Sequence, residues 1–218
     1  MRYTSLIFDL DGTLLNSLDD IADAAQHILV QYNYPTYDYA TYRHFIGNGL
    51  AKLIERAAPS ESSSEQLALM LEELRDYYAN HWAVKTKPYE GIVETLARLK
   101  EKGCQLFVLS NKDHAFTVDM VEHFFGTSLF TEIHGLKPEM PAKPDPQSTL
   151  SLCQRNGINL EQALFIGDLT VDLETASNAG ITAVGVNWGF RPEEIQTAPY
   201  IIDSPVELLQ LVDEGTQG

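Results

Sequence analysis

The sequence predicts an α/β fold in which a parallel sheet carries an inserted helical region. Short apolar runs, each long enough for one buried strand, alternate with amphipathic segments along most of the chain. The exception follows the first apolar run, where about seventy residues show helical periodicity and no convincing strand. Such a block is too long for a connection, so we expect an insertion over the carboxyl edge of the sheet. The predicted core is 1–15 and 84–218, and the predicted insertion is 16–83.

The individual elements follow from periodicity and from the residues that end each segment. Apolar runs predict strands at 6–8, 106–109, 164–166, 182–186 and 200–202, with a weaker candidate at 131–134. Amphipathic periodicity predicts helices at 18–29, 92–99, 115–125, 148–156, 171–179 and 205–212. In the insertion, a long helix is indicated by one apolar stripe of Leu67, Leu71, Leu74, Tyr78 and Trp82. Strands that alternate with helices form parallel sheets with right-handed crossovers.

Composition restricts the possible partners of the protein. The 218 residues carry a formal net charge of -16, which argues against nucleic-acid or anionic-membrane binding. We see no signal peptide and no apolar stretch of membrane-spanning length, so we expect a cytoplasmic protein. Cys104 and Cys153 are expected to be reduced core residues, and the six histidines show no zinc-ligand spacing. We expect a monomer or a homodimer.

Two aspartates follow the first apolar run with one residue between them. Alternate residues of an extended chain point to the same side, so Asp9 and Asp11 should emerge together at the carboxyl end of the strand. Two acids this close repel each other unless a cation lies nearby, and Mg²⁺ prefers oxygen ligands. Gly12 allows a turn that brings backbone N–H groups to an anion, and Thr13 adds a hydroxyl donor. A solvated Asp-Gly turn is the alternative.

The segment 9–14, Asp-Leu-Asp-Gly-Thr-Leu, resembles the first motif of the haloacid dehalogenase superfamily of phosphotransferases. In that family the first aspartate is the nucleophile and the second is the general acid and base. The resemblance therefore assigns these catalytic roles to Asp9 and Asp11. It also implies a Rossmann-like core with an α-helical cap of the C1 type inserted after the first strand, in agreement with the predicted insertion.

Two further clusters offer phosphate-binding groups. Ser110 and Asn111 follow the apolar run at 106–109 and read either as helix-capping residues or as phosphate donors. Resemblance to the second motif of the family favours Ser110 for phosphate, with Asn111 in support. Lys143, which precedes a proline, reads either as part of a plain helix start or as the lysine of the third motif. Lys112 competes for that role, and we favour Lys143.

A further pair of acids lies at the segment 166–172. Asp168 ends an apolar run, and Asp172 falls one turn into the next helix, so both could merely complement a helix N-terminus. The segment also resembles the fourth motif of the family, which makes Asp168 a Mg²⁺ ligand beside Asp9 and the backbone carbonyl of Asp11. Asp172 would then be an accessory ligand. Leu169 departs from the family, which commonly has Ser or Thr there, although Thr170 could supply the missing hydrogen bond.

The predicted insertion contains a candidate specificity loop. Gly47-Asn48-Gly49 resembles the loop that selects substrates in caps of the phosphoglycolate phosphatase type, and a flexible helix–helix turn is the alternative. Arg43 and Lys52 flank it as candidates for binding a substrate carboxylate. The segment 188–194, Trp-Gly-Phe-Arg-Pro-Glu-Glu, also resembles this branch of the family, and we assign it no catalytic role.

Together the four motifs predict a Mg²⁺-dependent phosphomonoesterase that acts on a small phosphorylated metabolite. The expected route is an aspartyl-phosphate on Asp9, and the first candidate substrate is 2-phosphoglycolate. Thr13, Ser110 and Lys143 would hold the other phosphoryl oxygens.

The four motifs are also compatible, to different degrees, with several other activities. Asp11 disfavours a dehalogenase or a phosphonate hydrolase, because the dehalogenases of the family lack this second aspartate. A phosphosugar mutase or a pyrophosphatase shares the motifs and is not excluded by them. From a different class, phospho-acceptor signalling domains also combine clustered acids, a hydroxyl and a lysine, but they are much shorter and lack a cap. A catalytically silent binding protein is disfavoured because every motif position is filled.

Overall fold

A computed structural model describes residues 2–213 and shows a parallel sheet with helices on both faces. Within these residues the strands are β1 (Ser5–Phe8), β2 (Leu15–Asn16), β3 (Lys87–Pro88), β4 (Gln105–Asp113), β5 (Glu132–Leu136), β6 (Ala163–Gly167), β7 (Thr182–Val186) and β8 (Tyr200–Ile202). The helices are α1 (Leu18–Gln31), α2 (Tyr39–Phe45), α3 (Leu50–Ala57), α4 (Ser64–Tyr78), α5 (Ile92–Glu101), α6 (His114–Phe125), α7 (Gln147–Asn156), α8 (Thr170–Ala179) and α9 (Leu208–Asp213).

Six strands pair in the order β5-β4-β1-β6-β7-β8, and all of these pairs are parallel. β1 is central and buried throughout, as its unbroken apolar sequence predicts. Apolar side chains fill both faces of the sheet, in two separate clusters. The predicted α/β fold class is confirmed, and every predicted strand has a counterpart, including the weak candidate that becomes the edge strand β5.

Helices α1 to α4 follow one another without an intervening strand and form a hydrophobic cluster of their own. We call these four helices and their connections the helical segment. One detail of the predicted long helix is wrong, because α4 ends at Tyr78 and Trp82 lies beyond it. The N–H groups of Asn80 and His81 bond to the carbonyls of Tyr77 and Tyr78, and these short-range bonds turn the chain out of the helix.

The chain leaves and re-enters the sheet layer through two adjacent strands. β2 and β3 pair antiparallel, with Leu15 opposite Pro88. Asp20 in the first turn of α1 is buried and fastens the returning strand, since its carboxylate accepts hydrogen bonds from the backbone of Val84, Lys85 and Thr86. The helical segment is therefore tied to the sheet next to the end of β1.

Two further expectations concern the chain as a whole. Cys104 and Cys153 are both buried, and no disulfide joins them in the described structure. Between residues 2 and 213, every helix is too short or too polar to cross a lipid bilayer.

Candidate active site

Two neighbouring strands bring aspartates from distant parts of the chain to one edge of the sheet. In the register of β1 and β6, Phe8 lies opposite Ile166, so Asp9 and Asp168 follow directly at adjacent strand ends. Asp172 lies in the first turn of α8. One carboxylate oxygen of each residue lies within 4.8 Å of the others, and all three residues are buried. The structure therefore brings together three of the four predicted metal-binding aspartates through their side chains.

Lys143 is the cation inside this group of acids. Its Nζ lies 2.8 Å from Asp9 Oδ1 and 2.6 Å from Asp172 Oδ1, and the side chain is almost fully buried. Asn111 holds the backbone of Lys143 from both sides: its Oδ1 accepts from the Lys143 N–H at 2.7 Å, and its Nδ2 donates to the Lys143 carbonyl at 3.2 Å. The structure thus places Lys143, rather than Lys112, beside Asp9.

Three carboxylates share one ammonium, and their pKa values respond to the imbalance. Burial raises the pKa of Asp9 to about 6, although the nearby Lys143 works in the opposite direction. Burial, together with the charges of Asp172 and Asp9, raises the pKa of Asp168 well above its ordinary value. Burial alone would lower the pKa of Lys143, but Asp172 and Asp9 outweigh it and raise that pKa. Excess negative charge with little access to water favours a bound cation.

Asp168 accepts two hydrogen bonds and lies close against the turn that follows β1. The Phe190 N–H donates to its Oδ2 at 2.8 Å, and the Thr13 hydroxyl donates to its Oδ1 at 3.2 Å. Gly12 has a φ of +88°, and a Cβ there would lie only 2.2 Å from Asp168 Oδ2. A glycine is therefore required at the turn after β1 both for its dihedral angle and for space. The hydroxyl of Thr13, a predicted phosphate donor, is turned toward Asp168 in this structure.

The donor set fits a hard divalent cation. Asp9 and Asp168 offer buried carboxylate oxygens with no sulfur or imidazole among them, which is the ligand chemistry that Mg²⁺ prefers. Asp172 Oδ1 binds the ammonium of Lys143, and its Oδ2 accepts from the Leu169 N–H at 3.1 Å. Asp172 is therefore placed to orient Lys143 and the start of α8.

Asp11 belongs to a second group of charged residues beside the first. Lys112 Nζ lies 2.8 Å from Asp11 Oδ2, and the Ser17 hydroxyl donates to Asp11 Oδ1 at 2.5 Å. Lys112 also lies over the ring of Tyr78, 4.9 Å from its centroid, so it joins the sheet layer to α4. Burial alone would lower the pKa of Lys112, but Asp11 and Tyr78 reverse this and raise it. The carboxylate of Asp11 is thus bound by Lys112 and Ser17 and lies outside the cluster of the other three carboxylates. Sequence analysis missed Ser17 and Tyr78 as members of this second group.

A cavity lies between the sheet edge and the helical segment, and its empty space, including the part open to solvent, is about 400 Å³. Its polar side is formed by Asp9, Asp11, Ser110, Asn111 and Lys112. Its other side is largely apolar and is formed by Ile21, Ile46, Gly47, Gly49, Leu50 and Leu53. The helical segment therefore covers the carboxyl edge of the sheet, and the predicted residues Gly47, Ser110 and Asn111 line the space between them.

The remaining side chains of the predicted specificity loop lie outside this cavity. Gly47 and Gly49 both have positive φ, and this turn directs Asn48 outward, where its Oδ1 accepts from Arg56 at 2.8 Å. Arg43 is exposed, and Lys52 is exposed and pairs with Glu55. The sequence identified the loop, but the backbone conformation decided which of its residues face the cavity.

The structure also shows the contacts of Leu169, of Thr170 and of the segment 188–194. Trp188 Nε1 donates to the carbonyl of Thr13 at 3.0 Å. Leu169 is buried against the helical segment, and the backbone N–H of Thr170 donates to Glu194. The two hydrogen bonds that Asp168 accepts come from Thr13 and Phe190. Leu169 and Thr170, which follow Asp168 in the chain, do not supply them. The only available sequence signal was the resemblance of the segment 188–194 to one branch of the family.

The family model for haloacid dehalogenase-like hydrolases matches residues 6–186. A phosphoglycolate phosphatase from Mannheimia succiniciproducens is 34% identical over 215 residues, which cover 94% of this chain and 96% of that protein. An N-acetylmuramic acid 6-phosphate phosphatase from Pseudomonas aeruginosa is 29% identical over 219 residues, which cover 99% and 97% of the two chains.

Among solved structures, a candidate phosphoglycolate phosphatase from Lactobacillus delbrueckii subsp. bulgaricus aligns with a TM-score of 0.91 and 28% identity. The alignment covers 97% of this chain and 99% of that chain. The similarity therefore extends over the sheet and the helical segment together.

Proposed function

Because the chain belongs to the haloacid dehalogenase-like hydrolases, in the branch similar to phosphoglycolate phosphatases, we propose that it is a Mg²⁺-dependent phosphomonoesterase. The observation that carries this proposal is the position of Asp9, which lines the cavity while its carboxylate binds Lys143 and lies beside Asp168. A nucleophile, its counter-charge and a candidate metal ligand thus meet at one point that a small substrate can reach.

In the proposed reaction, an oxygen of Asp9 attacks the phosphorus of the ester and forms an aspartyl-phosphate. The bond between phosphorus and the ester oxygen breaks, and Asp11 gives its proton to the leaving alcohol. Asp11 then removes a proton from a water molecule, which attacks the aspartyl-phosphate and releases orthophosphate, restoring Asp9. Lys112 and Ser17 would hold the carboxylate of Asp11 in place between these steps.

The phosphoryl oxygens need donors on the polar side of the cavity. Ser110 and Asn111 line that side, and Lys143 offsets the charge of Asp9 through its ion pair with that carboxylate. We assign phosphate contacts to these three residues and keep Thr13 and Gly47 as weaker candidates. Mg²⁺, held by Asp9, Asp168 and the backbone carbonyl of Asp11 with Asp172 as an accessory, would neutralise the phosphate and stabilise the charge that develops in the transition state.

The helical segment, with proposed boundaries 16–83, would act as a cap that excludes water during the reaction and opens to release product. For the substrate, 2-phosphoglycolate is the first candidate. The two relatives described above act on different phosphomonoesters, phosphoglycolate and N-acetylmuramic acid 6-phosphate. A small phosphorylated metabolite is common to both. We further propose a cytoplasmic location and either a monomer or a homodimer.

The test is a panel of phosphorylated metabolites, including 2-phosphoglycolate, incubated with the protein and Mg²⁺ while released orthophosphate is measured. We expect turnover that EDTA abolishes and that excess Mg²⁺ restores. Full activity in EDTA would remove the metal from the proposal. Isomerisation of glucose 1-phosphate without phosphate release would point instead to a phosphosugar mutase, and an aspartyl-phosphate that survives for hours would point to a signalling protein.

A further inference from the structure

Four consecutive residues after β7, residues 188–191, contact the candidate active site and the helical segment. Trp188 donates to the Thr13 carbonyl, and the Phe190 N–H donates to the carboxylate of Asp168 at 2.8 Å. Between them, a Cβ on Gly189 would lie only 2.1 Å from the Cβ of Asp168, so the backbone passes directly against this aspartate. The fourth residue, Arg191, reaches the helical segment. We call residues 188–191 the clamp loop.

Arg191 binds the helical segment through main-chain atoms. Its Nη1 donates to the carbonyl of Arg43 at 2.5 Å and to the carbonyl of Ile46 at 3.1 Å. Both carbonyls belong to the end of α2 and the turn that continues into Gly47, a residue that lines the cavity. Hydrogen bonds from a charged donor are stronger than those between neutral groups, and the planar guanidinium fits two acceptors at once.

The guanidinium is buried and is oriented from the sheet side. Arg191 is only 7% exposed, and its Nε donates to Glu194 Oε1 at 2.6 Å. The other oxygen of Glu194 accepts the backbone N–H of Thr170, at the start of α8. Glu194 thus fixes Arg191 to the helix that carries Asp172. If the helical segment moved away, the two carbonyl acceptors would be lost and the charge would have to be solvated instead.

Apolar contacts support the same attachment. Leu169 and Phe190 belong to the sheet layer in sequence, yet both are buried in the hydrophobic cluster of the helical segment. Leu169 lies directly beneath the loop, since a Cβ on Gly47 would lie 2.4 Å from Leu169 Cδ1. This contact gives a physical reason for leucine at the position where the family commonly has Ser or Thr. The side chain packs against the helical segment in place of forming a hydrogen bond.

We propose that Arg191 is a positioning residue that fastens residues 43–47 of the helical segment to the clamp loop and so holds the wall of the cavity closed over Asp9. The clamp loop also contacts Asp168. The same four residues therefore both hold the wall of the cavity and position this aspartate. The inference rests on the proposed function for its effect on turnover, but its structural part can be tested without any substrate.

The substrate-free test compares hydrogen–deuterium exchange in the wild type, in Arg191→Met and in the control Arg155→Met. Arg155, in the last turn of α7, forms an ion pair with Glu132 at the start of β5, so its loss removes an arginine whose ion-pair partner lies outside the helical segment. In Arg191→Met we expect exchange of the amides within 42–49 to rise by about tenfold or more, because local opening no longer breaks charged hydrogen bonds. The control should leave these amides unchanged.

A conservative variant separates the role of the planar guanidinium of Arg191 from that of its positive charge. Arg191→Lys keeps a buried cation but cannot reach two carbonyls in the same planar geometry, so its exchange should fall between those of the wild type and Arg191→Met. If Arg191→Met fails to fold, Arg191→Lys alone decides the question. Exchange within 42–49 that matches the wild type in every folded variant would overturn the proposal.

Kinetics supply the second measurement, with 2-phosphoglycolate as the probe. Arg191 acts on the wall of the cavity and not on the reacting atoms, so in Arg191→Met we expect KM to rise about tenfold while kcat changes less than about threefold. Arg191→Lys should recover part of the loss in KM. A fall in kcat with an unchanged KM would contradict a positioning role. If the wild type releases no phosphate from this probe, the proposed substrate fails while the exchange measurement still decides the role of Arg191.

Discussion

Lys143 and Lys112 are both buried, and each binds one of the two aspartates that follow β1. Their surroundings differ in charge. Lys143 lies among three carboxylates, those of Asp9, Asp168 and Asp172, so its group has more negative than positive charge. Lys112 pairs with Asp11 alone, so its group is balanced.

The two groups also differ in what they join. The Lys143 group is confined to the sheet layer and is completed by Phe165, whose ring lies 5.6 Å from the Lys143 Nζ. The Lys112 group extends to Tyr78 in the helical segment and to Ser17 where the chain enters that segment. The Lys143 group, with its excess of negative charge, therefore favours a further cation, while the balanced Lys112 group holds a carboxylate between two layers of the molecule.

The largest expected effect comes from removing the nucleophile of the unbalanced group. Asp9→Asn should lower phosphate release by about 10⁴-fold or more, because the amide cannot form the covalent intermediate. The fold should be retained, since a neutral residue relieves repulsion among the buried acids. Phosphate release is measured beside Asp76→Asn, which changes an exposed acid of α4 and should keep full activity. Substantial turnover by Asp9→Asn would contradict the assignment of Asp9.

Removing each lysine in turn tests the difference in charge directly. In metal-free buffer, Lys143→Met should reduce the free energy of unfolding by about 3–5 kcal/mol, because three buried carboxylates lose their cation. Lys112→Met leaves one carboxylate that still binds Ser17, so a smaller loss of about 1–3 kcal/mol is expected. Urea unfolding with and without Mg²⁺ measures both. Excess Mg²⁺ should restore stability mainly to Lys143→Met, and equal restoration of both variants would erase the distinction between the groups.

The pH dependence of stability sharpens the comparison further. The pKa of Asp9 is raised to about 6 by burial, against about 3.9 for an unfolded chain, so between these values the native state holds more protons than the unfolded state. The contribution of Asp9 to stability is therefore present below about pH 4 and is lost as the pH rises to about 6, at about 1.4 kcal/mol per pKa unit.

Urea unfolding in EDTA can isolate this contribution. The free energy of unfolding of the wild type minus that of Asp9→Asn should fall across the same pH range, since the variant cannot ionise at this position. A difference that rises with pH would show that Asp9 is stabilised as a carboxylate without metal. With Mg²⁺ present the fall should weaken or reverse, because metal binding favours the ionised form.

The smallest expected effect concerns the contact between Lys112 and the helical segment. Burial raises the pKa of Tyr78 to about 12, and its hydroxyl is hydrogen-bonded to Lys112 and lies 3.9 Å from Met120 Sδ. Tyr78→Phe keeps the ring beside Lys112 but removes this hydrogen bond, so it should reduce the free energy of unfolding by about 1 kcal/mol. Tyr78→Leu removes the ring as well and should cost more. Equal losses in both variants would mean that the hydroxyl, and not the ring, stabilises the Lys112 group.

Much of the fold could be predicted because its signals are local. The apolar runs of β1, β4 and β6 and the periodicity of the helices depend on residues a few positions apart, and these gave the order of the elements. The end of α4 was misjudged because a helical stripe continues through Trp82 in sequence. The turn that ends the helix depends on backbone bonds at Asn80 and His81, which the spacing of apolar residues does not report.

The site residues were predictable to a similar degree. Acids that end buried strands must meet at the carboxyl edge of a parallel sheet, so the proximity of Asp9 and Asp168 follows from topology. The position of Lys143 was favoured through the family resemblance, and the structure places it beside Asp9. The outward position of Asn48 was not predictable, because it results from positive φ angles at the two glycines beside it.

By itself, the sequence determined that this chain forms a parallel α/β sheet, that acids lie at the ends of its strands, and that a helical segment follows the first strand. These properties depend on residues close together in the chain. Only the tertiary structure decided which lysine meets which aspartate and that Arg191 binds the carbonyls of Arg43 and Ile46. The physical reason is that backbone carbonyls are alike at every position, so a contact across 148 residues leaves no mark in the sequence.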